Sequence, residues 1–162
     1  MNWIDILTLA FWCGCGAVGF GILFNVPPRA IAMIWLGGAI GGFVKFSLLG
    51  AGVGLILTHF VAASAIGMVS LPMAHYRQVT PMIFAIPSII PLVPGIFAYR
   101  TMVGVIKLAG VIDNDYQNFL SQTVNYGSKT LFIIMFLALG VSIPMHLLRY
   151  ESVKNIRVSR KK

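Results

Sequence analysis

Long apolar stretches separated by short polar or proline-bearing breaks run the length of this chain. The first covers Trp3 to Phe24 and stops at Asn25-Val-Pro-Pro-Arg29, which holds two prolines and a charge. The second covers about Ala30 to Leu49 and the third about Gly52 to Leu71. Pro72 and the polar group His75-Tyr76-Arg77-Gln78 are expected to close the third. A fourth stretch runs from Pro81 to Leu108. A polar segment from Asp113 to Ser128 follows, where Asp113 or Asn114 can cap a short interfacial helix. The fifth stretch covers about Lys129 to Leu148, with Pro144 near its end. A bilayer-crossing helix needs about 20 apolar residues. The pattern therefore predicts an all-α integral membrane protein with about five transmembrane helices. Residues 1–148 form the membrane domain and 149–162 a basic cytoplasmic tail. Only Gly50-Ala51-Gly52 separates the second and third stretches, so four spans is the alternative.

The fourth stretch is unlike the others. It is apolar over 28 residues but interrupted by Pro87, Pro91 and the Pro94-Gly95 pair. Each proline removes a backbone N–H and clashes with the carbonyl four residues earlier. Freed backbone groups cannot face lipid, so a broken helix at that depth belongs inside protein or beside a watery cavity. Secondary transporters bind their substrates at helices broken in this way. The first amides of a helix restarting after Pro94-Gly95 suit a carboxylate. Pro87, Ser88, Pro91, Pro94 and Gly95, with Tyr99 and Arg100 about one turn beyond, are thus the candidate substrate-binding residues. The alternative is a lipid-facing helix that the prolines only kink.

Composition and charge sharpen this picture. Hydrophobic residues make up 58% and charged residues 10% of the 162, too apolar for one soluble core. Of the net charge of +8, the tail from Arg149 to Lys162 supplies +5, following a hydrophobic segment. That placement reads as a membrane-surface anchor and not as a nucleic-acid site. With five spans and the tail inside, Arg29 and Arg77 join its six bases on the cytoplasmic side. Lys107, Lys129, Asp5, Asp113 and Asp115 fall outside. This positive-inside pattern favours five spans with the N-terminus out and the C-terminus in. Met-Asn-Trp-Ile-Asp lacks the positive region of a signal peptide, so the first stretch is kept as a span.

Candidate chemistry inside the spans is sparse. Arg100 is the costliest residue of the fourth stretch, at about 2.5–3.5 kcal/mol for mid-membrane insertion, so it needs a partner or a cavity. It reads either as a contact to a carboxylate or as a side chain snorkelling to headgroups. Lys45, near the end of the second span, reads as snorkelling. Asn25, Pro27 and Arg29 make a compact turn at the inner mouth, a plausible gate, while Arg29 is also a topology anchor. His59 is the candidate proton relay, with a hydrogen-bonded packing histidine as the alternative. Cys13 and Cys15 lack companions for a metal set, and no cofactor is expected. The four acids, Asp5, Asp113, Asp115 and Glu151, lie outside the span cores, and no paired carboxylates or H-E-x-x-H occur, so an enzyme is not expected.

An odd number of spans lets a unit pair with another of opposite topology, as in transporters built from inverted repeats. The pairs Gly37/Gly41, Gly38/Gly42 and Gly50/Gly54 suit close helix packing, within this chain or with a partner. Gly19-Phe-Gly-Ile-Leu-Phe-Asn-Val-Pro-Pro-Arg29, Ile86-Pro-Ser-Ile-Ile-Pro-Leu-Val-Pro-Gly95 with Ile96-Phe-Ala-Tyr-Arg-Thr-Met102, and Gly140-Val-Ser-Ile-Pro144 resemble the small, YjjB-like subunits of the threonine/serine exporter family (ThrE). The likeness spans nearly the whole chain. It implies a bacterial inner-membrane subunit, equivalent to the C-terminal half of the single-chain exporters. It also implies a hetero-oligomer with a larger partner subunit, exporting a small carboxylate substrate such as threonine, serine or succinate. The competing expectation is an assembly subunit that stabilises a transporting partner without touching substrate.

Overall fold

The computed structural model describes residues 2–110 and 116–159, with side chains as far as Leu147. The described residues are helical, with no strand. In chain order they form α1 (Trp3–Leu23), α2 (Pro28–Gly50), α3 (Leu55–Arg77), α4 (Met82–Ile89), a 3-10 turn (Ile90–Leu92), α5 (Gly95–Gly110) and α6 (Tyr116–Ser159). Four helices, α1, α2, α3 and the Tyr116–Leu147 part of α6, are each long and apolar enough to cross a membrane. Met82–Leu92 and Gly95–Gly110 meet at 58° and make a fifth crossing if taken as one broken span. The protein is therefore a multi-pass membrane protein with four to five spans.

The helices turn back on one another because three of them end in the same way. Asn25, Gly52 and Gln78 have φ of 54°, 79° and 53°, the left-handed conformation that stops a helix. After each comes a valine whose amide reaches back five residues: Val26 to Gly21 O, Val53 to Leu48 O and Val79 to Ala74 O, at 3.0, 3.0 and 3.2 Å. Prolines at 27, 28 and 81 then begin the next helix without wasting an amide. The middle cap makes Gly50–Gly54 a true reversal and separates α2 from α3.

Small residues decide which faces meet. Ile6, Ala10, Gly14, Ala17 and Gly21 recur at helical spacing as the buried stripe of α1. They lie against α2 running the other way. A methyl on Gly38 would stand 2.6 Å from Ala17 Cβ, and one on Gly42 would stand 2.8 Å from Cys13 Cβ. Without a hydrophobic force between helices in lipid, such close backbone approach supplies the packing energy. Gly37 and Gly41, on the neighbouring face of α2, receive Ser88 of α4 and Ile66 of α3. Two of the three glycine pairs thus pack within this chain. Gly54 has no neighbour near a Cβ position, and Gly50 is exposed.

α3 and α6 pack side by side in the same direction. Phe60 meets Phe136 edge-on at 5.9 Å, Gly140 lies on Phe60 O and Ala63, and Gly67 lies on the Val141 backbone. The core between α2, α3, the helix break and α6 holds Ala62, Ile66, Ala85, Leu92, Ile133 and Leu137. A second cluster around Ile34 and Phe84 closes the end at the α1–α2 turn.

Two boundaries differ from those expected. α3 continues through Pro72 to Arg77, because Ser70, Leu71 and Ala74 are buried around the exposed proline and hold the helix together. The polar residues from Tyr116 to Ser128 are not a separate interfacial helix but the opening turns of α6. α5 packs along them, with Gly104 against Thr123 and Phe97 stacked on Tyr126 at 6.1 Å. Tertiary contact thus extends the helix over a sequence with no apolar signal of its own. Asp113 and Asn114, the expected caps, lie outside the described residues, as do the side chains of the Arg149–Lys162 tail.

Candidate functional site

The prolines of the fourth stretch act at separate points. Pro87 is buried within α4, Pro91 sits in the 3-10 turn, and Pro94 is buried just before α5. Val93, which precedes a proline, is extended (φ −60°, ψ 135°), and there the helix parts. Pro91 lies on Gly16 of α1, and Ser88 donates to Ile34 O of α2 at 3.2 Å. The break is therefore held inside the bundle, between α1, α2 and α3.

Into this break comes a cation. Lys45 of α2 turns its ammonium inward to Leu92 O at 3.5 Å, and also lies 5.5 Å from the Phe46 ring. It is near enough to Cys13 of α1 and His59 of α3 for charge on one to be felt by the other. His59 is 2% exposed, and its Nδ1 lies 2.7 Å from Leu55 O. Four elements thus contribute to one polar level inside the bundle: Cys13, Lys45, His59 and the Leu92 carbonyl. Half a turn past Lys45, the buried Ser47 Oγ has no hydrogen-bond partner. Among the described residues no group of three or more His, Cys, Asp or Glu can hold a metal ion.

Pro87, Ser88 and Pro91 lie before the break at Val93, and Pro94 and Gly95 after it, Pro94 buried and Gly95 exposed at the start of α5. Tyr99 and Arg100 are elsewhere, on the exposed hairpin made by α5 and the first turns of α6. There Arg100 donates to Tyr126 Oη at 3.2 Å and lies 5.3 Å from that ring. An open groove of about 230 Å³ runs beside Tyr99, Arg100, Lys107 and Thr123. Asn25, Pro27 and Arg29 are exposed at the far end of the bundle, where Asn25 closes α1 in its left-handed conformation. Next to them an apolar groove of about 310 Å³ is lined by Phe24, Val26, Met82, Ile86 and Pro87. His59 is the one expected residue that joins the break from another helix.

Lys45 is what the sequence reading missed. Its contact is 47 residues away, so nothing local announces it. The available signal was its position on the face of α2 between the glycines that meet α1 and those that meet α4.

A family model described as "Threonine/Serine exporter, ThrE" matches residues 9–147. A curated relative, an uncharacterized protein of Haemophilus influenzae (strain ATCC 51907 / DSM 11121 / KW20 / Rd), is 29% identical over 130 residues, which is 79% of this chain and 42% of the relative. The chain thus spans about two fifths of the length of that relative. No solved structure matches. A match over this much of the chain, on a helical bundle with a proline break, places it in the threonine/serine exporter family.

Proposed function

We propose that this chain is one membrane subunit of a two-component secondary exporter of small carboxylate-bearing metabolites, threonine and serine or a succinate-like dicarboxylate. It sits in a bacterial inner membrane with its N-terminus outside and C-terminus inside. The observation that carries this reading is the 58° break held in the interior of a family member's bundle, with an inward-turned lysine on its wall. An unwound segment in this position supplies the polar backbone that a substrate needs inside a membrane. Substrate meets the Pro87–Gly95 segment, with Tyr99 and Arg100 on its route and Asn25, Pro27 and Arg29 at the inner mouth. His59 serves as a proton relay.

A larger subunit of the same family completes the pathway. The Haemophilus relative has more than half its length beyond the matching region, room for a second unit. α5 has no buried residue, which leaves a helix face for another chain to cover. That same face also favours a second reading, an assembly subunit that never touches substrate.

The test is reconstitution of this chain with its co-purified larger partner in proteoliposomes. Counterflow of labelled threonine, serine and succinate is followed with and without a pH gradient. Export of one of them by the pair, and none by this chain alone, is the expected result. Transport that persists unchanged after Pro94→Ala and Gly95→Leu would favour the assembly reading. Absence of transport of all three by the pair would end the carboxylate-exporter reading.

A further inference from the structure

We propose that Lys45 is the carboxylate-binding residue of this chain, taking a substrate's carboxylate at the wall of the α4–α5 break. The inference rests on the exporter reading for its substrate class, but its geometry stands independently. Lys45 is half-buried, and its ammonium has three donors. Among the described residues it makes one hydrogen bond, to Leu92 O, at the outer limit of such a contact. The neighbouring Phe46 ring gives only partial compensation.

Among the described residues no acid neutralises it. Asp5 is the one carboxylate among residues with described side chains, and it is exposed in the first turn of α1, bound to the Asn2 amide at 3.3 Å. A lysine placed only to keep charge near the membrane surface extends outward along the helix. Here the side chain instead crosses the interior toward the broken segment. Cations inside a membrane protein pair with other charges or with backbone carbonyls and mark substrate or ion pathways. Lys45 has the Leu92 carbonyl, and the second partner assigned to it here is an anion that arrives and leaves.

The surroundings suit a small one. Cys13 and His59 each lie close enough to Lys45 to interact with it electrostatically, and neither brings a carboxylate. The backbone beside it is the 3-10 turn, where Ile90 O, Val93 O and Pro94 O already accept from the Val93, Gly95 and Phe97 amides, so Leu92 O is the carbonyl that faces Lys45. Arg100 does not compete for the role within this chain, because it is held on Tyr126 away from the break.

Two measurements on the full chain, co-expressed with its partner, test this. The first is mixed-disulfide formation at Cys13 by a small methanethiosulfonate reagent, with methanesulfinate leaving, in a Cys15→Ser background. Ten-millimolar succinate or threonine is expected to slow the reaction at least fivefold relative to chloride, and Lys45→Met should abolish the slowing. The second is counterflow: Lys45→Met should weaken apparent affinity at least tenfold, whereas Lys45→Arg stays within threefold and Lys129→Met, on the exposed face of α6, is unchanged.

Equal Cys13 reactivity with and without carboxylate overturns the proposal. So does counterflow by Lys45→Met within twofold of wild type. Protection without transport upholds Lys45 and removes the exporter reading. Should Lys45→Met fail to fold, protection in the Lys45-bearing protein and its retention in Lys45→Arg decide.

Discussion

The α1–α2 seam and the α5–α6 hairpin are both antiparallel helix pairs, but they are built on different physics. In the seam, buried positions recur on both helices, and glycines bring the backbones so close that a single methyl would collide. In the hairpin, α5 has no buried residue; Gly104 lies on Thr123 and Gly127 on Thr101, and the remaining contacts with α6 are made by long side chains: Arg100 on Tyr126, Lys107 over Phe119, Phe97 stacked on Tyr126. Ile96, Tyr99 and Met102 are each about two-thirds exposed. Packing of the first kind is nearly rigid, whereas the second kind can slide, since long side chains adapt where backbones cannot. The break at Val93, next to Leu92 and its contact with Lys45, is where the one kind of packing gives way to the other.

That contrast can be broken or sharpened by substitution, reading stability by thermal unfolding followed by size-exclusion chromatography. Phe84→Ala, at a residue 1% exposed, should cost most, about 3–5 kcal/mol, because it empties the cluster that seals α4 onto α1 and α2. Gly38→Leu follows at about 2–3 kcal/mol, since Ala17 and the Cys13 carbonyl block the new side chain. A cost below that of any hairpin change would mean the seam is not tightly closed. Tyr126→Ala removes the ring that holds Phe97 and Arg100, and should cost only about 1 kcal/mol. Met102→Ala, on the outer face of α5, should stay within about 0.5 kcal/mol for the isolated chain. If the partner covers that face, the same substitution should instead lower recovery of the complex in co-purification. Amide exchange gives an independent measure: α5 should exchange well before α2.

Much of the seam was legible and little of the hairpin was. Prolines at 87, 91 and 94 remove amides wherever they occur, so a break in the fourth stretch follows from composition alone. The Asn25-Val-Pro-Pro turn and the glycine pairs at 37/41 and 38/42 are also local signals, read by spacing. Gln78 is different: a left-handed glutamine has no sequence mark, and its place is set by the helix end it closes. The helicity of Tyr116–Ser128 comes from contact with α5, which a polar window does not reveal. Lys45 was read as snorkelling because depth along α2 is visible in the sequence and direction is not. Ser88 was read as a candidate substrate-binding residue, and the sequence does not reveal that its hydroxyl donates to a carbonyl 54 residues away. Each of these needed knowledge of which helices are neighbours.

The same-direction pairing of α3 with α6 fixes the order in which the protein can be made. Two helices entering the bilayer with one polarity need an intervening segment that returns the chain to the starting side. That segment is the bent α4–α5 unit. Gly67 meets Val141 only after this unit has been threaded, so the face of α3 that receives α6 is covered last. Closure of the whole bundle therefore waits on the one interrupted crossing.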